Sequence, residues 1–232
     1  MDAPSLLDIS KDILLLIVQE ISPSAFVCVK FTCTTFHTMK RPLIQDDIIK
    51  DSLSNKTPDV FIFLRDDVKI KVKVGVCTKI VKHGNLEFLK WARENKYVWD
   101  VFTCSEAAWN GHLECLKYLH ENGCPWDEDI CSNAACNGHL ECLKYAHENR
   151  CPWDENTCST AAWKGNLKCL KYAHKHGCPW NKYTCKHAAQ RGYLECLKYA
   201  HENGCPWDED ECIAKAKEYN HIHVLEWIAE QN

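Results

Sequence analysis

The chain has 232 residues, 46% of them apolar and 26% charged, with a net charge of −4 and a pI near 6.3. That composition excludes a disordered tail and gives no electrostatic footprint for nucleic acid, which calls for a strongly basic surface. Seventeen cysteines are an odd number and cannot all pair. Asp2, Asp8 and Asp12 stand where a secretory leader needs positive charge, and the apolar run 13–18 is only six residues long, so neither export nor a membrane span is expected. Reduced thiols in the cytoplasm are the expectation.

Residues 1–56 open with Ile9, Ile13, Leu16/Ile17 and Ile21 at helical spacing, which predicts an amphipathic helix from about Lys11. Ser22-Pro23 breaks it. A second helix is expected from Ala25 through Phe26, Val29, Cys33 and Phe36, and a third over 43–53, after Arg41-Pro42. The order Ile9-Ser10, Asp12, "ILLLI" at 13–17, Ile21, Phe26 and "TCTTF" at 32–36 resembles an F-box, with Ser10 in the place of that family's proline. The resemblance implies a face of Ile9, Ser10, Ile13, Leu14, Ile17 and Phe26 that docks on the Skp-type adaptor of a cullin–RING ubiquitin ligase. A helical cap sealing the repeats that follow is the other reading of 1–56. Residues 57–76 include the alternating "KIKVKV" and are expected to be a linker or a degenerate first helix.

From residue 77 to 232 the sequence repeats. Trp99, Trp126, Trp153, Trp180 and Trp207 are 27 residues apart, as are Gly84, Gly111, Gly138, Gly165 and Gly192. The pairs Ala107-Ala108, Ala134-Ala135, Ala161-Ala162 and Ala188-Ala189 keep the same register. One residue is inserted in the last unit, where Asn220 stands for the glycine, so about six units are counted. A fixed period means a stacked array in which each unit buries its faces on its neighbours.

Within one unit two helices are expected. Asp127 is placed to cap the first, with Glu128 and Asp129 in its first turn, and Asn137-Gly138 ends it. The second starts near Leu140, carries the stripe Leu140, Leu143 and Ala146 with Cys142 and Tyr145 at its flanks, and closes at Asn149. The stretch "AAWNGHLECLKYLHENG", Ala107 to Gly123, resembles the ankyrin repeat. It is shorter than that family's unit of about 33 residues, the missing residues falling at the projecting finger. A leucine-rich repeat allows the period, but Leu113, Leu116 and Leu119 are three apart and do not make its L-x-x-L-x-L pattern. The resemblance implies an all-α solenoid that binds a protein target, and the F-box–ankyrin combination resembles host-directed proteins of large DNA viruses, acting in host cytoplasm or nucleus.

Comparison of the units separates scaffold from surface. Ala134-Ala135, Gly138, Leu140, Leu143 and Tyr145 are invariant across the central units, whereas positions on the first helix vary. A solenoid presents such positions on its docking side, which makes Phe102, Glu106, Trp109, Asn133, Thr160, Trp163, Lys164, Tyr183, His187, Gln190 and Arg191 candidate target-binding residues.

Each central unit repeats three cysteines, such as Cys131, Cys142 and Cys151, and histidines recur at 120, 147, 174 and 201. Paired C-x₂₋₄-C ligand sets are missing. The cysteines are therefore expected in the core and the histidines along a stacked polar edge, with a metal or redox role the weakest alternative. No phosphate loop or catalytic motif is present. The expectation is an interaction protein that is not an enzyme, has no cofactor or metal, and binds neither nucleic acid nor membrane.

Overall fold

The computed structural model describes residues 75–231, which divide between Val98 and Trp99 into two compact units. The predicted helices within 1–56 lie outside the described residues, as does the expected linker 57–76 except its last two, Gly75 and Val76, which open the first described helix. The part of the first unit that is described holds one helix pair, α1 (Val76–Lys82) and α2 (Leu86–Glu94). The second holds five pairs: α3 (Val101–Trp109) with α4 (Leu113–Glu121), α5 (Glu128–Cys136) with α6 (Leu140–Glu148), α7 (Glu155–Trp163) with α8 (Leu167–Lys175), α9 (Lys182–Arg191) with α10 (Leu194–Glu202), and α11 (Glu209–Glu218) with α12 (Ile222–Ala229). Among the described residues there are no strands, and the fold is the expected all-α solenoid.

Start and stop signals explain these short helices. Asp100 caps α3 in a full capping box, its carboxylate accepting from the Thr103 N–H at 3.1 Å. Asp154, Asn181 and Asp208 cap α7, α9 and α11 without the reciprocal bond, their side chains accepting from the N–H groups of Asn156, Tyr183 and Glu211. Asp127 departs from its predicted role. It stands at the N-cap of α5 in extended backbone, but its side chain makes no capping bond, and Oδ1 is buried without a partner. Burial first, then the neighbouring Asp129 carboxylate, pushes the Asp127 carboxyl above its ordinary range.

The helices end in paired 6→1 and 5→2 hydrogen bonds. After α5, the His139 N–H donates to Ala134 at 2.9 Å and Gly138 to Ala135 at 3.3 Å. Gly138 is at φ +77°, a conformation open to glycine. At the end of α6 the same geometry falls on Arg150, at φ +65°, which costs about 1 kcal/mol.

The first helices, α3, α5, α7, α9 and α11, form the closely packed layer, and the second helices stack more loosely beside it. Small residues permit this. Ala107, Ala108, Ala134, Ala135, Ala161, Ala162, Ala188 and Ala189 are all fully buried, so neighbouring backbones approach closely. In the second layer Cys142, Leu143 and Ala146 are buried and Leu140 is only half-buried. The cysteine at the flank of the expected stripe is in the core, and the leucine that opens it lies at the rim.

Candidate functional site

The variable positions of the first helices fall on one side of their layer. Phe102, Glu106 and Trp109 form a stripe on α3, where Phe102 is 71% exposed and Trp109 45%. Glu106 Oε1 accepts from Asn110 Nδ2 at 3.0 Å. Asn133, on α5, is half-buried, and its carbonyl accepts from Asn137. Thr160 Oγ1, on α7, donates to Asn156 O at 2.7 Å and lies 3.2 Å from Ser132 O of the preceding unit. Gln190 is half-buried, with its carbonyl 3.0 Å from His221 Nε2.

Four of the predicted residues come together across α7 and α9. The Arg191 guanidinium lies over the Trp163 ring, 4.9 Å from its centroid, and His187 meets the same indole edge-on at 5.1 Å. Tyr183, one turn before His187, is 6.0 Å from it. Burial first pushes the His187 imidazole below its ordinary pKa, opposed by its bond to the Ser159 carbonyl at 3.4 Å. Lys164, next to Trp163, is exposed. The variable positions do not single out Lys186, yet it lies over the Tyr183 ring at 5.4 Å and pairs with Glu211 of α11. Lys182 joins that carboxylate at 3.4 Å. Aromatic rings and cations held by stacking are the usual anchors of a protein-binding face.

A second row runs along the joints. His120 stacks on Trp126 at 3.8 Å, His147 on Trp153 at 4.0 Å and His174 on Trp180 at 3.9 Å. Each imidazole Nδ1 meets the tyrosine hydroxyl of the next unit: Tyr145 at 3.1 Å, Tyr172 at 3.0 Å and Tyr199 at 2.8 Å. The repeated tryptophan therefore packs between successive units, and the histidines tie them. Burial holds His147 and His174 below their ordinary pKa of 6.5, with His176 adding to the effect at His147 and Lys175 at His174. A depressed histidine pKa supplies stability that is present above 6.5 and lost as pH falls through the folded value. Thermal stability should accordingly fall between pH 7.5 and pH 5. The double variant His147→Phe/His174→Phe should lose less over that range; an equal loss would show that these imidazoles do not carry it.

A third row consists of residues that vary between units but do not belong to the exposed face. Asn166 donates to the carbonyls of Ala135 at 3.0 Å and Cys136 at 2.7 Å, at the end of the previous first helix. His139 and His221 reach Trp109 O and Gln190 O at 3.1 and 3.0 Å. Variation within the chain marks them as surface. Their spacing of 30 or 31 residues from the carbonyls they reach places them between units.

The thiols form internal pairs. Cys124, Cys151, Cys178 and Cys205 donate to the carbonyls of Asp100, Asp127, Asp154 and Asn181 at 3.1–3.3 Å. Cys104, Cys131 and Cys158 bond in turn to the first three of these sulfurs, which together with burial pushes their thiols well up. Burial is the first cause that moves Cys115, Cys142 and Cys169 up to about 11, with the Glu114 carboxylate adding at Cys115 and Glu141 at Cys142. Such thiols are protonated at neutral pH and behave as small core residues. Among the described residues no three His, Cys, Asp or Glu side chains are placed to hold a metal, and no helix is long and apolar enough to cross a membrane.

The helix pairs, their 27-residue period and their shared caps can now be set beside known proteins. Residues 104–184 match the family model of ankyrin repeats, in three copies. The pairs α9–α10 and α11–α12, which run past the end of the matched segment, continue the same helix-pair unit. Among solved structures, the human ASB11 ankyrin repeat domain is similar at 18% identity and a TM-score of 0.49, over 62% of this chain and 82% of that one. The pentatricopeptide repeat protein PPR10, solved with an 18-nt psaJ RNA element, is similar at 11% identity and a TM-score of 0.45, over 81% of this chain and 33% of its own. Comparison with the curated proteins gives no match.

Proposed function

We propose that this chain is a protein-interaction adaptor whose ankyrin-like array holds a target protein on the variable face of its first helices. One observation carries the reading: the large exposed side chains Phe102, Trp109 and Tyr183 all occupy positions that vary from unit to unit, on helices whose invariant positions are buried alanines. A scaffold needs the alanines; it has no use for exposed aromatic rings. Binding by the array is a matter of position and shape, with no chemistry performed by the chain.

Trp109→Ala with Trp163→Ala should weaken target binding by at least 30-fold, since two aromatic anchors commonly carry about 2 kcal/mol or more. Calorimetry with the captured partner measures this, and unchanged affinity in the folded double variant would remove the assignment of this face.

The finer reading assigns residues 1–56 to a Skp-type adaptor, so that the array presents its target to a cullin–RING ligase and transfer follows from proximity. It is supported by the spacing of Ile9, Asp12, Ile13, Ile17, Ile21 and Phe26. In the full chain, Ile13→Asp with Ile17→Asp should abolish co-purification of the adaptor while target binding persists. Adaptor recovery equal to the parent would leave the plain ankyrin scaffold with a helical cap as the function.

A further inference from the structure

The proposed binding face is not uniform in charge. Glu106 on α3 and Asp129 on α5 make one end acidic, whereas Lys164 and Arg191, at equivalent positions in successive units, make the α7–α9 end cationic. Nearby Lys182 and Lys186 are already committed to Glu211. Neither Lys164 nor Arg191 enters an ion pair among the described residues. The Arg191 guanidinium lies over the Trp163 ring, 4.9 Å from its centroid. A guanidinium over a ring keeps its planar fork of N–H donors, which matches a carboxylate through two hydrogen bonds. Equivalent positions on adjacent packed helices are roughly 8–10 Å apart. That separation matches side chains about two or three residues apart on an extended strand, at roughly 3.3 Å per residue.

We propose that the α7–α9 end of this face takes an acidic, extended peptide segment of the target, one carboxylate on Arg191, a second beside Lys164, and an apolar side chain against Trp163. The proposal rests on the array binding a protein on this face, and it adds the chemistry of the bound segment and its direction. The acidic end at Glu106 and Asp129 repels the same carboxylates, so only one orientation across the helices brings them to the cations. An arginine already stacked on a ring has lost rotamer freedom before the partner arrives, which favours binding through pre-organisation.

The test uses the full chain and a displayed library of random twelve-residue peptides. Selection on the parent protein should enrich Asp and Glu at least threefold over the input, often two or three residues apart. The affinity of the enriched peptides should fall more than tenfold between low and high salt. Lys164→Glu with Arg191→Glu, both exposed, should keep the fold by circular dichroism and reverse the enrichment toward Lys and Arg. Enriched peptides with no acidic excess, or the same enrichment on the charge-reversed variant, would overturn the inference. So would preferential capture of a single-stranded DNA oligonucleotide at this site. If no peptide is enriched over bare resin, the linear acidic segment is overturned, whereas the array's binding role is decided separately by the Trp109 and Trp163 substitutions.

Discussion

Gly165→Ala should destabilise the array by about 3 kcal/mol, and Gly177→Ala by about 1 kcal/mol. Both glycines have left-handed backbones, at φ +73° and +83°, so both variants carry the same conformational penalty. They differ in what a methyl group would meet. At Gly177 nothing lies within 4 Å. At Gly165 the added carbon would fall inside contact distance of the Tyr193 ring, which belongs to the next unit. The same arrangement recurs at Gly138 against Asn166 Oδ1 at 2.8 Å and at Gly192 against His221 Nδ1 at 2.6 Å. Relief at Gly165 requires shifting one unit against the next, and stability in an array is carried largely by such interfaces. For a protein of this size, 3 kcal/mol lowers the melting temperature by about 6–12 °C. Scanning calorimetry on the two variants decides the matter, and equal losses would show that the close approach of Tyr193 has no energetic weight.

The second large effect is expected in α8. Leu170→Ala should cost about 3 kcal/mol, in the range for emptying a fully buried leucine site, because Leu170 is completely enclosed in the second layer. Leu167→Ala, three residues earlier, should cost about 1 kcal/mol, since Leu167 is only half-buried and removes less apolar surface from water. Urea denaturation of both variants tests the contrast. A loss at Leu167 as large as that at Leu170 would contradict the layer arrangement described above.

Most of the helix pairs were legible before any coordinates. Glycine, tryptophan and the alanine pairs recur at one period, and that period places each cap, turn and buried alanine in register. The exceptions are instructive. Asp127 has the right residue type and place for a cap, yet its side chain makes no capping bond and its Oδ1 is buried without a partner. His139, Asn166, Tyr193 and His221 vary as a surface position does, but they cover a glycine of the preceding unit, and all except Tyr193 bond to one of its carbonyls. Variation within a repeat identifies freedom of residue type. It does not separate solvent exposure from a contact that several polar residues can make equally well.

The candidate face divides along the same line. Comparing units nominates eleven residues for the face, but only the fold shows that Trp163, Tyr183, His187 and Arg191 touch, and that Glu106 and Thr160 are occupied with local hydrogen bonds. Lys186 joins the cluster through Tyr183 and Glu211, 25 residues away in sequence, a pairing that no local pattern encodes.

The sequence by itself determined the unit, its period, its two helices and the burial of its alanines and cysteines, because these follow from local backbone preference repeated in register. Tertiary structure alone decided which side chain of one unit meets which of the next: histidine on tryptophan and tyrosine, asparagine on a helix end, arginine over Trp163. Those meetings depend on the distance and rotation between stacked helices, quantities set by packing and absent from any single unit.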